Sequence, residues 1–519
     1  MSRKDINFIV GNHSSRKGLL ASPVSKVALV PMFAAEPTGK ALKLAKAISL
    51  QAELSGFKAD AGQTLAKVVN SRTNGGATVI NFGLGARSKF NIDAWRTALI
   101  GGIKQVRGLK TESISIALPS DLVGAKSLFG ALSLHEIGFT TAETIARVLY
   151  TANHYKTEGV ETSPLKSVFV NASGLNAEQH KELIAGIEAG SYVGACVNIA
   201  RDTANEPPNI CTPAYMAELA MQVAAESGGT IITTVLERDE CAALGMNAFL
   251  AVAKGSKVPP KFIIMDYAPA QCSPNGPVLG LVGKSVTFDS GGLDIKPADG
   301  MRDMKYDMCG GADVIAAMRA IARLGLPIRV KAYCAATENM TGDEAYRPGD
   351  VYTSIDGRSY EIDNTDAEGR LTLVDAISYA RIHGKVTHLV DYATLTGAIL
   401  VALGDITAGV FSNNQAFADQ YLAAAGSMGE DAFQMPTSEK YKALNKSTIA
   451  DMKNAGGRFA GSITAALFVL SAARDLPAIH VDIAGVSFRG KEVDADPAGG
   501  TGWGVRTLVA LAANLAKTA

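Results

Sequence analysis

The sequence has no surplus of either charge: 50 basic residues face 50 acidic ones, a formal net charge of zero. These totals argue against nucleic acid or an anionic membrane as the main partner. Paired cysteines are missing too. The six thiols (Cys196, Cys211, Cys241, Cys272, Cys309 and Cys334) are spread singly with no CxxC, the pattern of reduced thiols in a cytoplasmic protein. The start, Met1–Val10, has a basic pair but no apolar core of signal-peptide length, and Asp5 counts against an organelle presequence despite Ser14, Ser15, Arg16 and Lys17. Long apolar runs are absent: the stretch near Ile463–Ala473 carries Thr464 and Ser471 and is far too short to span a bilayer. There are no repeats or low-complexity tracts. None of the 7 histidines has HExxH-like spacing, which disfavours a single-zinc histidine site.

What is present is a long α/β pattern. At 519 residues the chain exceeds one ordinary core. Strands are expected at Val27–Val30, Thr78–Phe82, Ser113–Leu118 and Ser167–Val170, with helices at Gly39–Ser55 and Ile92–Val106. That alternation predicts a smaller amino-terminal α/β domain, residues 1–176, with a mostly parallel sheet. Gly83-Leu84-Gly85-Ala86-Arg87-Ser88 is an imperfect GxGxxG and reads as a tight βα turn rather than a cofactor loop. A linker helix is expected over 177–203, ended by Asn205-Glu206-Pro207-Pro208. The larger carboxy-terminal α/β domain, 204–519, carries a central mixed sheet. Its expected strands are Thr230–Val235, Phe249–Ala253, Lys261–Asp266, Val278–Val282, Ile328–Ala335 and Val386–Tyr392, with helices at Ala312–Leu324 and Leu371–His383.

Chemistry concentrates between Gly283 and Leu371, where Asp289, Asp307, Asp366 and Glu368 accompany Lys284, Lys296 and Arg370 in glycine-punctuated segments read as loops. Two like charges about 4 Å apart cost roughly 4 kcal/mol at an effective dielectric of about 20, so four converging carboxylates need positive partners. Two divalent cations would serve, and oxygen-rich ligation suits Zn²⁺, Mn²⁺ or Mg²⁺. Surface charges and helix caps explain each residue singly. In extended backbone, however, Asp366, Glu368 and Arg370 would share one face, which capping does not require. Spacing alone leaves a metal or phosphate site and ordinary surface charges and caps both open. For a Walker loop ending at Gly283-Lys284-Ser285, the first glycine falls on Val278, out of register.

The motifs Asn364-Thr365-Asp366-Ala367-Glu368-Gly369-Arg370-Leu371, Val282-Gly283-Lys284 and Thr287-Phe288-Asp289-Ser290-Gly291-Gly292 resemble the signature of the leucyl aminopeptidase (cytosol aminopeptidase) family. Asn205-Glu206-Pro207, Phe249–Ser256, Ala393-Thr394-Leu395-Thr396-Gly397-Ala398 and His480-Val481-Asp482-Ile483-Ala484-Gly485 continue the likeness in the family's order. The resemblance implies a two-metal aminopeptidase that removes leucine-like amino-terminal residues by way of a metal-bridging water. It further implies that Asp289 and Glu368 bridge the ions, that Lys284 and Asp307 complete the tighter site, and that Asp366 belongs to the exchangeable one. Lys296 would stabilise the oxyanion, and Arg370 would hold a bicarbonate that relays a proton. Met304, Thr394, Leu395, Gly397 and Ala484 would form the first-residue pocket. Zn²⁺ or Mn²⁺, with Mg²⁺ an alternative in one site, peptide substrates and a homohexamer belong to the same implication.

Ser487 stands where some members have a larger apolar side chain, which weakens the expectation of strict leucine preference. Cys309 reads as a small buried residue, His388 and His480 as core histidines, and Gly456–Gly461 as a close-packing run. A narrow dipeptidase, for instance one acting on cysteinyl-glycine, and a non-enzymatic binding protein on the same fold are the alternatives.

Overall fold

The computed structural model describes residues 6–11, 27–34, 57–71, 75–118, 132–152, 154–159, 163–172 and 174–517. The chain divides into two compact units, Met1–Ala195 with Glu492–Pro497, and Cys196–Lys491 with Ala498–Ala519. The division falls within one continuous helix, Ala177–Asn205. By length and composition this is the one helix among the described residues able to cross a membrane, but 50% of its apolar window is buried inside the protein, as in a core helix.

In the first unit, β1 (Asn7–Gly11), β2 (Val27–Met32), β3 (Thr64–Ser71), β4 (Gly75–Gly83), β5 (Ser113–Ala117) and β6 (Ser167–Asn171) form a sheet ordered β1-β6-β5-β2-β4-β3. Every pairing is parallel except β3 with β4. All of β2 is buried, as an inner parallel strand covered on both faces must be. Helix Ile92–Arg107 starts where Asn91 Oδ1 accepts the Ala94 N–H at 2.9 Å, and helix Leu134–Val148 opens on a Ser133–Glu136 capping box. The Gly83–Ser88 segment leaves β4 through irregular backbone and enters a 3₁₀ turn at Arg87–Lys89 ahead of the helix, and a Cβ on Gly83 would stand 2.1 Å from the Asp60 carbonyl oxygen. Residues Glu492–Pro497 return to this unit, where Asp496 pairs with buried Arg147 at 2.6 Å. The helix expected at Gly39–Ser55 lies outside the described residues.

The second unit is built on β7 (Ile231–Leu236), β8 (Lys261–Tyr267), β9 (Val278–Asp289), β10 (Arg329–Asn339), a small sheet of β11 (Val351–Thr353) and β12 (Ser359–Glu361), then β13 (His388–Ala393), β14 (Ala408–Ser412), β15 (Ala432–Gln434), β16 (Met452–Lys453) and β17 (Ala478–Asp482). The main sheet runs β15-β14-β17-β13-β9-β10-β8-β7, with β16 joining the small sheet beside β12. Its centre, β17-β13-β9-β10, is parallel, and β8, β7 and β14 add antiparallel partners. The central strands are almost wholly buried, and Leu371, Val374, Ile377, Phe468 and Leu470 are among the apolar side chains closing the core over them.

Two expectations fail here. Phe249–Ala253 is not a strand but helix Asn247–Val252 running into a 3₁₀ turn at Ala253–Gly255. A short apolar run fits a buried helix as well as a strand, and here the Asp375 carboxylate accepts the Phe249 N–H at 2.8 Å, a helix cap supplied from far along the chain. Nor are Lys284 and Asp289 on loops. β9 is continuous from Val278 to Asp289, so Gly283-Lys284-Ser285 lies inside a strand, where no phosphate loop can form.

Candidate active site

The site stands at the carboxyl ends of the parallel strands, where open α/β sheets usually bind ligands. The register places Asp289 beside Asn339 and Ala393 beside Asp482. Because Tyr392 pairs with Gly283, Lys284 lies level with Ala393 at the end of β13, and β9 runs on beyond it. Its Nζ donates to the Thr394 carbonyl oxygen at 2.9 Å. Lys284 and Asp289 are five residues apart and would face opposite sides of a regular strand. A register shift after Thr337 of β10, where Val286 and then Phe288 find partners, inserts the extra residue that restores a common side.

Close backbone approach brings up Asp307. A Cβ on Gly283 would lie 2.6 Å from the Gly310 carbonyl oxygen, so the start of helix Cys309–Arg323 can press on β9. Asp307, just ahead of that helix, then reaches Lys284 Nζ at 2.7 Å, and Thr394 Oγ1 donates to the same Asp307 oxygen at 2.7 Å. Glu368 lies 2.8 Å from Lys284 on its other side. Glu368 immediately precedes helix Gly369–Ile382, where the amino-terminal end of the helix dipole favours a carboxylate. Residue 369 has to be glycine, since a Cβ there would be 2.4 Å from Lys284 Cε.

Lys296 completes the charge pattern, 2.8 Å from Asp289 and in contact with Asp366. Asp289, Asp366 and Glu368 each bring a carboxylate oxygen within 4.8 Å of the others. Lys284, Asp289, Lys296, Asp307, Asp366 and Glu368 therefore meet at one place. The shared extended face expected for Asp366, Glu368 and Arg370 does not exist: Glu368 has helical φ/ψ of −74° and −40°, and Arg370 is already in the helix. A turn at Thr365–Asp366 converges the side chains instead.

Burial works against the positive charge on Lys284, but Asp307, Glu368 and Asp289 outweigh it and raise its pKa. For Glu368 burial is likewise overcome, by Lys284 and Lys296, which hold the carboxyl at about 2. Asp366 is pushed up to about 6, chiefly by burial and then by Glu368. The donor set fits hard or borderline divalent ions, being mainly carboxylate oxygen with one amine in reach. Asp307 Oδ2 is buried without a hydrogen-bond partner, an atom free to ligate. Burial also draws Arg370 down to about 10. One of its terminal nitrogens donates to the Asn454 carbonyl at 2.6 Å, and its Nε is buried without a hydrogen-bond partner.

Among the pocket residues, Thr394 touches Asp307, while Leu395 and Ala484 donate backbone N–H groups to Asp482 at 3.1 and 3.2 Å. A Cβ on Gly397 would meet open space, and Met304 is half-buried in a 3₁₀ turn. Cys309 is buried with Sγ 3.9 Å from the Ser487 carbonyl oxygen. His480 is fully buried and bonded to Asp391 at 2.6 Å, and half-buried His388 meets Thr387 Oγ1 at 3.0 Å. Sequence reasoning did not single out Asp482, Asn339 or Asn454. Asn339 donates to Asp289 at 2.8 Å and to the Thr365 carbonyl at 3.0 Å. Asp482 lay within a quoted motif, but the others carried no spacing signal.

Buried carboxylates and lysines gathered at the mouth of a mixed sheet define a metal-dependent hydrolase. Residues 198–509 match the cytosol aminopeptidase family, catalytic domain. The chain is 43% identical over 434 residues to a probable cytosol aminopeptidase of Solibacter usitatus, covering 84% of this chain and 86% of that one. It is 40% identical over 465 residues to the Alkaliphilus metalliredigens protein of the same description, covering 89% and 90%. A mutant of tomato leucine aminopeptidase superposes with a TM-score of 0.85 at 29% identity, covering 99% of this chain and 97% of that one. The bottromycin maturation enzyme BotP in complex with Mn superposes at 0.81 with 31% identity, covering 95% and 100%. The chain belongs to the cytosol aminopeptidase family. It is a metallo-aminopeptidase of the leucyl aminopeptidase type, a peptide hydrolase from a family of two-metal peptidases.

Proposed function

We propose that the enzyme releases leucine-like apolar residues from peptide amino termini, with Lys284, Asp289, Asp307, Asp366 and Glu368 as the ligands of two ions. The observation that carries this reading is the convergence of Asp289, Asp366 and Glu368 within 4.8 Å, flanked by Lys284 and Asp307 2.7 Å apart. Asp289 and Glu368 would be shared by the two ion sites, Lys284 and Asp307 would complete one of them, and Asp366 would complete the more exchangeable one. Lys284 would ligate as the neutral amine, which would require an adjacent dication to reverse the upward push of its carboxylates. Zn²⁺ or Mn²⁺, with Mg²⁺ an alternative in one site, would supply Lewis acidity and an activated water when bound.

The chain's own groups do the rest. Lys296, its side chain 18% exposed at the edge of the cluster, keeps its proton and donates to the carbonyl oxygen as negative charge develops there. Arg370, anchored by Asn454, would hold a bicarbonate with its remaining nitrogens, and that group would supply a proton relay in place of a histidine base. Met304, Thr394, Leu395, Gly397 and Ala484 surround the first side chain, and the open space over Gly397 leaves room for it. A cytoplasmic location is inferred from the cytosol aminopeptidase names of its relatives, and a homohexamer from the family likeness. The test is a panel of leucine, methionine, phenylalanine and charged amino-terminal anilides and dipeptides, each with its N-acetylated form. Free apolar amino termini should be cleaved and acetylated ones spared, whereas equal cleavage of both would overturn the reading.

A further inference from the structure

Asn454 lies directly after β16, whose pairing with β12 fixes its backbone; its own N–H donates to the Glu361 carbonyl at 3.0 Å. Its side chain is fully buried and spends its whole hydrogen-bonding capacity on one loop. Nδ2 donates to the carbonyls of Asn364 at 2.7 Å and Ala367 at 3.2 Å. Oδ1 accepts the N–H groups of Asp363 at 2.8 Å and Asn364 at 3.2 Å. Its carbonyl oxygen holds Arg370 at 2.6 Å. These contacts bracket Asp366 on both sides and end on the residue two places after Glu368.

With Asp366 and Glu368 taken as ion ligands, as proposed above, we infer that Asn454 is a positioning residue that sets the separation of these two carboxylates and the placement of Arg370. Only an amide can fill the role, because it must donate to two carbonyls and accept from two N–H groups at once. An aspartate of the same shape would turn acceptor oxygen toward Asn364 and Ala367. Thr365 is held independently, by Asp294 through its N–H at 2.7 Å and by Tyr346 and Asn339 through its carbonyl at 2.7 and 3.0 Å. Losing the amide therefore loosens the segment from Asp366 to Glu368, which keeps its bonds to Asn364 (Asp366 N–H to Oδ1 at 2.7 Å, Ala367 N–H to the carbonyl at 3.3 Å), without releasing the whole loop.

The test compares the full-length wild type with Asn454→Ala, Asn454→Asp and Asp366→Asn. Mn²⁺ binding to chelator-stripped protein is measured by calorimetry, folding by circular dichroism, and kcat and KM are followed across Mn²⁺ concentration. Removing a group that orients metal ligands commonly weakens metal affinity roughly 10- to 100-fold. Both Asn454 variants should weaken the Mn²⁺ event that depends on Asp366 by that factor, weaken the other less because it shares only Glu368, and lower kcat at limiting Mn²⁺ with KM little changed. Saturating Mn²⁺ should restore most of kcat. Asp366→Asn should weaken the same event. Wild-type Mn²⁺ constants in a folded Asn454→Asp protein would overturn the role of Asn454, even if Asn454→Ala fails to fold. Wild-type constants in Asp366→Asn would instead overturn the ligand assignment itself.

Discussion

Replacing Lys296 by alanine removes the one cation of the cluster that lies at its partly open edge. The Nζ is 2.8 Å from Asp289, contacts Asp366, and belongs to a side chain 18% exposed. At about 4 Å from a developing oxyanion, and at an effective dielectric of about 20, a unit charge is worth roughly 4 kcal/mol. Loss of one preorganised donor in other hydrolases costs about 2.7–4 kcal/mol, a 10²- to 10³-fold fall in kcat, so the two estimates agree. Lys296→Ala should therefore lower kcat on leucine p-nitroanilide roughly 100- to 1,000-fold while metal content, read by plasma mass spectrometry on the same sample, stays at the wild-type level. A kcat within about threefold of wild type at full metal occupancy would refute the oxyanion role. Loss of metal together with activity would make Lys296 part of the ion site instead.

Further outcomes follow from single contacts. Gly369→Ala puts a Cβ 2.4 Å from Lys284 Cε, so Lys284 has to leave Asp307 and Glu368; metal content and activity should fall while circular dichroism stays native. Asp375 is fully buried, accepts the Phe249 and Ile355 N–H groups at 2.8 Å each, and is raised by burial from 3.8 to about 7. A raised carboxyl favours the fold while protonated, so its contribution is complete below about pH 4 and drains away as pH climbs to about 7, on the order of 4 kcal/mol in all. Asp375→Asn should flatten that slope in denaturant titrations at pH 4 to 7 and cost roughly 1–3 kcal/mol by leaving one N–H without an acceptor.

The legible parts of the molecule are those written in local pattern. The buried run of β2, the first part of β9 from Val278 to Val282, the helix beginning after Glu368 and the glycine that ends Cys309–Arg323 all follow from periodicity and caps, whereas the rest of β9 does not. The seven charged site residues were visible as a set because their signature segments resemble a family, and β9, the Asp307 segment and the Asp366 turn bring them together. What stayed hidden depends on partners far along the chain. The helical state of Phe249 is fixed by Asp375, 126 residues away, and the turn that aims Asp366 is gripped by Asn454, about 90 residues away. The bulge that puts Lys284 and Asp289 on one side exists only against β10. The return of Glu492–Pro497 to the first unit rests on Arg147, Lys104 and Arg107, whose charges look like ordinary surface residues in the sequence.

Metal content and peptidase activity measured on one sample, before and after exhaustive chelation, bear most directly on the claim that the acidic cluster works by holding two cations. The enzyme should carry two divalent ions per subunit, lose leucine-anilide hydrolysis when they are removed, and regain it on addition of Mn²⁺ or Zn²⁺. Undiminished hydrolysis by protein stripped of divalent metal would contradict it.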